Sequence, residues 1–388
     1  MTTTISNLPP SMIQTIISLV PIQEAARTSI LSKDWRYHWT KIPNLVFDEA
    51  EFQVSGEGDE LTTLERSYGG VENQRRSMTK RCKFFTAIDR VLLDHEGPIY
   101  EFTLKMETDV TCVEINHIFS YLAKQNKVKK VTLVTAGGFK LPLSLFSLDQ
   151  LIELRLSLCD FQRLPKFSGF PCLTSLVVDD VATSKSALLH LLSNCPSLKS
   201  LAMNTDAITR DDASTIPQLF ESFPTVENLS AYLSAIESFS QYGVPRVLQA
   251  SMVHLKHAYI DNMSFVPAYG LQIVLFLIRS SPNLEKLKLK ILEDPAFVES
   301  QGCSFRPEDY PEILLEHLKV LEIFYLSNEK PEIDFVQFVI ARSPVLEKVR
   351  IILFDGIDDD EELEITEILL GFARASPVVE IIVEKEVL

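Results

Sequence analysis

The sequence is poor in the features that carry most enzymatic and membrane functions. Its six cysteines, Cys82, Cys112, Cys159, Cys172, Cys195 and Cys303, are scattered, with neither the close pairs of a zinc site nor a disulfide framework. Several fall among apolar residues, where the thiol serves as a small hydrophobe. The longest strongly apolar run, Leu271–Ile278, is far short of the roughly 20 residues that span a bilayer. No basic start followed by an apolar run opens the chain, so the expectation is a soluble protein of the cytoplasm or nucleus. Basic charge is also in deficit. The 37 Lys and Arg against 53 Asp and Glu leave a net −16, opposite to the footprint of a nucleic-acid binder. Phosphate-loop glycines are missing: Gly56-x-Gly58 and Gly137-Gly138 have neither the strand–loop–helix setting nor the lysine. His254 and His257 lack the HExxH context and read as surface histidines. With no GxSxG elbow or Cys–His arrangement either, no catalytic residue, metal or cofactor is expected.

What the chain does contain is repetition. With 46% apolar residues it is globular, and from Ile99 onward one pattern recurs: an apolar residue, another three later and a third five later. Copies begin at Ile99, Val128, Leu151, Leu173, Leu198, Val226, Leu255, Leu284, Leu318 and Leu346. Proline stands two residues before the start at Pro171, Pro196, Pro224, Pro282 and Pro344, and helical-looking runs such as LLHLLSNCPSL and VLFLIRSSPNL precede several of them. Each unit reads as helix, stop, then strand, because proline cannot continue a helix and alternate residues of a strand share a face. Such units of 20–34 residues stack into a solenoid, each covering its neighbour's apolar face. The last copy has two possible registers, Val378/Ile381/Val383 by the triplet or a start at Val379 by the proline spacing.

Residues 8–48 are different. Ile13, Ile16, Ile17 and Val20 mark one face of a helix that ends at Pro21. A short helix fits Gln23–Ile30, and Ser32 is placed to cap a third carrying Trp35 and Trp39 at i, i+4. Three helices in about 40 residues lie at the lower limit for an independent fold, and their apolar surface calls for a partner. The segment resembles the F-box of plant proteins at Leu8-Pro9, Ile13/Ile16/Ile17, the ARTSILS run, Trp35-Arg36, Trp39 and Pro43-x-Leu45-x-Phe47. Glu24 stands where many relatives have Asp and keeps the charge. The LxxLxL repeats resemble irregular plant leucine-rich repeats. The closing section, with EHLKVLEIF, FVIARSPVLEKVRII and LLGFARASPVVEIIV, resembles the FBD module.

The resemblance implies an α/β chain: an F-box over 1–48, a flexible linker or loop over 49–81, a leucine-rich-repeat solenoid over 82–315 and FBD-like repeats over 316–388. The solenoid would be a curved parallel sheet with helices on its convex side. It further implies a non-catalytic substrate receptor of an SCF-type ubiquitin ligase. Leu8, Pro9, Ile13, Ile17, Ile22, Leu31 and Trp35 would meet a Skp-type adaptor, and through it a cullin, while the repeats hold a protein substrate. The alternatives are a binding scaffold outside any ligase and an enzyme built on the solenoid. Outward strand positions with mixed aromatic and polar character, Tyr232, His257, Tyr259 and Asp261, are the candidate substrate contacts. The basic cluster Arg75, Arg76, Lys80, Arg81 and Lys83 and the acidic run Asp355–Glu364 read as solvated segments.

Overall fold

A computed structural model describes residues 8–30, 35–52, 70–107, 113–165, 168–209, 213–246, 251–265, 269–292 and 305–385. The chain divides into two compact units, residues 1–160 with 165–172, and residues 161–164 with 173–388. Each is built of parallel strands, as a helix-and-strand repeat requires, since parallel neighbours are joined only by crossovers.

In the first unit, α1 (Pro10–Ile17) and α2 (Ile22–Arg27) lead into β1 (Asn44–Asp48). Then follow α3 (Gly70–Asp94), β2 (Glu101–Lys105), α4 (Val113–Gln125), β3 (Lys130–Lys140) and β4 (Glu153–Phe161), with the strands in the order β1-β2-β3-β4. The second unit places eight strands side by side: β5 (Ser175–Asp179), β7 (Ser200–Asn204), β9 (Asn228–Tyr232), β10 (His257–Met263), β11 (Lys286–Ile291), β12 (Val320–Leu326), β13 (Lys348–Leu353) and β14 (Glu380–Lys385). The short β6 (Ala182–Ser184) and β8 (Ile208–Thr209) pair beside them. Between strands run α5 (Lys185–Ser193), α6 (Ile216–Glu221), α7 (Leu233–Glu237), α8 (Gly270–Ser280), α9 (Lys330–Ile340) and α10 (Asp359–Leu370).

The triplet sets the core. All thirty residues of the ten copies are at most 3% exposed. The register stacks like on like: Phe102 pairs with Val131, Leu176 with Leu201, Leu229 with Ala258, Leu287 with Leu321, and Leu321 with Val349. Each fully buried Leu or Ile contributes about 1.5–3 kcal/mol by leaving water. Pro196, Pro224, Pro282 and Pro344 sit in the turn after a helix, whereas no helix precedes Pro171 among the described residues after β4, and the residue before the proline can close the turn. Cys195 Sγ bonds Leu191 O at 3.2 Å, and Ser343 Oγ donates to Val339 O at 2.7 Å. The apolar run at 271–278 forms the inner length of α8, buried on nearly every side and entered at Gly270, where a Cβ would lie 2.2 Å from Ser264 O. Among the described residues no helix is long and apolar enough to cross a membrane.

An earlier copy exists than the first one read from sequence. Ile42, Leu45 and Phe47 are buried, and Leu45 and Phe47 pair with Phe102 and Leu104, so β1 is a full member of the sheet. The loop before β2 binds it too: Glu96 N and Gly97 N donate to Thr40 O, and buried His95 Nε2 lies 2.9 Å from Ile42 O. A Cβ on Gly97 would sit 2.9 Å from Lys41 Cα, so only glycine permits this approach.

Four other expectations change. The third N-terminal helix is a turn over residues 35–38 and a 3₁₀ turn, Trp39–Lys41, because Pro43 forces Ile42 into extended geometry; Ser32 lies outside the described residues. The second half of the expected linker is helical from Gly70, and α3 buries Phe84, Phe85, Ile88 and Leu92 on one face. The acidic run is a helix start: Asp358 accepts from Asp360 N and Glu361 N, and four acids follow in the first turn, where the helix dipole favours negative charge. In the last copy each register reading captures half. Val379 is the buried residue while Val378 is 71% exposed, yet Ile381 and Val383 pair with Val349 and Ile351. This copy is one residue shorter between anchor and strand.

A second regularity was hidden. Leu158, Asp180, Asn262 and Tyr325 all have positive φ (58°, 49°, 55° and 61°), and each stands seven residues after its copy's start. The next residue, Cys159, Val181, Met263 or Leu326, is then buried. In the other copies position seven itself is buried, as at Met106, Thr205, Leu233, Ile291 and Leu353. Thus the four carry one extra residue, absorbed by a left-handed turn that costs an L-residue about 1–2 kcal/mol.

Two tests follow from these features. Leu158→Gly should raise the urea midpoint by up to the equivalent of about 1 kcal/mol although it deletes an apolar side chain, whereas Leu156→Ala should cost about 2–5 kcal/mol. A loss of more than about 1 kcal/mol at Leu158 would refute the strain. Burial pushes the Glu332 carboxyl up to about 7, against hydrogen bonds from Ser327 N and Oγ that favour the ion. The native state therefore holds a proton that the unfolded chain releases near the ordinary glutamate value of 4.5, and stability present below that value is lost as pH rises towards about 7. Glu332→Gln should flatten this slope in thermal melts; an unchanged slope would assign it elsewhere.

Candidate functional site

Two surfaces stand out, one in each unit. On the N-terminal module, α1 is apolar on two faces and only one can turn inward. Ile13, Ile17, Ile22 and Trp35, four of the residues assigned to the adaptor, are buried within the chain itself. Leu8 is half-buried, Pro9 is exposed, and Leu31 lies outside the described residues. The apolar surface left open belongs to others: Leu19 is 81% exposed and Ile30 87%, with Met12, Ile16 and Val20 beside α1 also open. Leu19, Val20 and Pro21 border a groove of about 270 Å³ closed by Val46, Phe47, Phe52 and Phe84. The single face expected for Ile13, Ile16, Ile17 and Val20 is split: Ile13 and Ile17 turn inward, while Ile16 and Val20 stay open beside Met12.

On the second unit, the outward positions of β9 to β12 converge. Register places His257 beside Asn228, Tyr259 beside Ser230 and Asp261 beside Tyr232, so all four candidate residues lie on neighbouring strands. Three of them are already linked to neighbours: His257 Nδ1 is 2.7 Å from Asn228 Oδ1, and Tyr259 OH donates to Asp261 Oδ2 at 2.9 Å. Asn262 N also donates to Asp261, which ties the carboxylate to the left-handed turn. Burial, then the hydrogen bond to Asp261, raises the Tyr259 hydroxyl, and burial beside Asp261 raises that of Tyr232. Both phenols stay neutral and can donate. The next strand brings lysines that the candidate set omits: Lys288 Nζ lies 4.5 Å from the Tyr259 ring centre and 4.4 Å from that of Phe324. Aromatic groups placed like these present area and hydrogen bonds with little conformational freedom to lose.

Stacked strand–helix repeats following a small helical module define a leucine-rich-repeat type of architecture. Comparison with known proteins agrees piece by piece. An F-box domain model matches residues 5–47, a model of the LRR repeats of the FBD-associated F-box protein At5g56370 matches 116–210, and an FBD model matches 306–351. The chain is similar to the plant F-box/FBD/leucine-rich-repeat proteins along its length. It is 27% identical to the Arabidopsis thaliana F-box/FBD/LRR-repeat protein At1g13570, with 96% of each chain covered. It is 24% identical to the putative FBD-associated F-box protein At1g05080 of the same plant, with 92% of each covered. Of solved structures, one from the yeast Rad7–Elc1 complex covers 76% of this chain and 70% of its own at 13% identity and a TM-score of 0.36, too low to carry an argument.

Proposed function

We propose that the chain is the substrate-recognition subunit of an SCF-type cullin–RING ubiquitin ligase. The F-box holds a Skp-type adaptor, and through it a cullin; the repeats hold the protein to be modified. The work is positional: binding both at once raises the effective concentration of substrate near the ubiquitin-charged enzyme, and this chain makes or breaks no bond. The division into F-box (1–48), linker (49–81), repeats (82–315) and FBD-like end (316–388) is proposed as one of roles, since β1 serves both the F-box and the sheet. Such a protein acts in the cytoplasm or nucleus.

The observation that carries the reading is the open apolar set on a module whose core is already closed. Ile13, Ile17, Ile22 and Trp35 build that core; Leu8, Pro9, Met12, Ile16, Leu19 and Ile30 supply the docking face, with Leu31 assigned to it by resemblance. A stable interface of standard size removes about 800 Å² per partner, more than one short helix offers, so the face extends from α1 across the end of α2.

Surface and core predict different failures. Leu19→Glu with Ile30→Glu should weaken capture of a purified Skp-type adaptor by more than about tenfold and leave the melting temperature nearly unchanged. Trp35→Ala should lower stability by about 3–5 kcal/mol, with binding lost only through unfolding. Adaptor binding undiminished in the double glutamate variant would overturn the assignment.

A further inference from the structure

The second unit presents Lys286, Lys288 and Lys290 on the outward face of β11, alternating with buried Leu287, Leu289 and Ile291. They are not equivalent. Lys286 Nζ donates to Glu322 Oε1 at 2.8 Å. Glu322 stands directly across from Lys288 in the β11–β12 register, yet its oxygen goes to Lys286. Lys288 lies instead between two rings, Tyr259 and Phe324, and Lys290 lies 5.2 Å from the centre of the Tyr325 ring. Among the described residues no carboxylate forms an ion pair with either ammonium. The other charges around them are engaged: Asp261 accepts from Tyr259 and Asn262 N, and Arg350 on β13 forks onto Glu384. Carboxylates are not scarce in a chain with 53 acids and 37 bases. Two lysines are therefore aimed by aromatic faces, which attract the cation without neutralising it. Tyr325, one of the rings, is held in left-handed geometry that a tyrosine adopts only under constraint.

We propose that Lys288 and Lys290, with the rings of Tyr259, Phe324 and Tyr325, form the subsite for an extended acidic segment of the captured protein, one carboxylate to each lysine. Charge complementarity selects the occupant, and geometry selects its form. Alternate residues of a strand are about 7 Å apart, so Lys288 and Lys290 match acidic side chains at alternate positions of another extended chain. The rings beside them accept the apolar stems of that segment. This rests on the reading of the strand face as the substrate surface and narrows it to a substrate class.

The test is a selection from a random peptide display library against the full chain, with enriched peptides then measured by fluorescence anisotropy. Enriched sequences should carry Asp or Glu at alternate positions. Their affinity should fall by about tenfold or more in K288Q/K290Q, stay within about threefold in K288R/K290R, and be unchanged in K348Q, a lysine on β13 outside the subsite. Raising salt from about 50 to about 300 mM should weaken binding by about tenfold. Enrichment of peptides without such acids, no enrichment at all, or affinity indifferent to K288Q/K290Q would overturn the proposal. Adaptor capture measured on the same preparations separates the two readings. Its loss with peptide binding intact defeats the ligase assignment alone, and the reverse result defeats this subsite alone.

Discussion

Everything in this fold depends on the stacking of two apolar side chains per strand on the equivalent pair of the next. Leu287 and Leu289 meet Leu321 and Ile323, which meet Val349 and Ile351. A shift of one residue would turn every such pair outward, so burial and register enforce each other. Backbone bonds at the strand entrances repeat the same solution. Glu227 N and Asn228 N both donate to Lys199 O, Lys256 N and His257 N to Glu227 O, and Glu285 N and Lys286 N to Lys256 O. At that entrance the side chains alternate in sign along six copies: Lys199, Glu227, Lys256, Glu285, Lys319, Glu347. The hydrogen bond to Lys319 holds the Glu285 carboxyl below its ordinary range. These exposed pairs add little energy.

The same constraint explains how a small helical module is held. Its β1 enters the sheet as an ordinary member, with Ile42, Leu45 and Phe47 in the triplet positions, and Gly97 lets the following loop close on Lys41. Gln14 reaches from α1 to Lys41 O at 2.7 Å, so the first helix is tied to the same turn. Roughly 40 residues that could not sustain a core alone thus borrow one from the first repeats. That loan frees the outer face of α1 from any structural duty.

Legibility followed from what each signal reports. The triplet was readable because every copy repeats the same burial, and repetition separates a signal from a composition rich in apolar residues. The extra residue at Leu158, Asp180, Asn262 and Tyr325 was not, because left-handed geometry without glycine leaves no mark in sequence. The first half of α3 escaped because it is polar, and helix propensity without an apolar stripe resembles a linker, whereas the apolar stretch from Phe84 to Leu93 reads as helix from sequence. The N-terminal site was legible as a segment and not as a surface. Apolar spacing names the residues that share a face, yet it does not say which face meets the chain's own core. The converging strand residues were found by their outward positions, whereas the lysine held between Tyr259 and Phe324 required three strands in register.

Under the proposed function, the two units divide recognition by chemistry as well as by place. The open face of the N-terminal module is aliphatic, with Leu19, Ile30, Met12 and Ile16, and suits an obligate, desolvated contact with one constant partner. The strand face of β9 to β12 offers phenols, an amide, a tethered carboxylate and two lysines, groups that discriminate by leaving a wrong partner's polar atoms unpaired. An aliphatic face there would hold many proteins, and a polar face on the F-box would hold its adaptor poorly. A receptor that must keep one partner and select another needs this asymmetry. The solenoid provides it cheaply, because the buried triplet fixes the sheet whatever occupies the positions between.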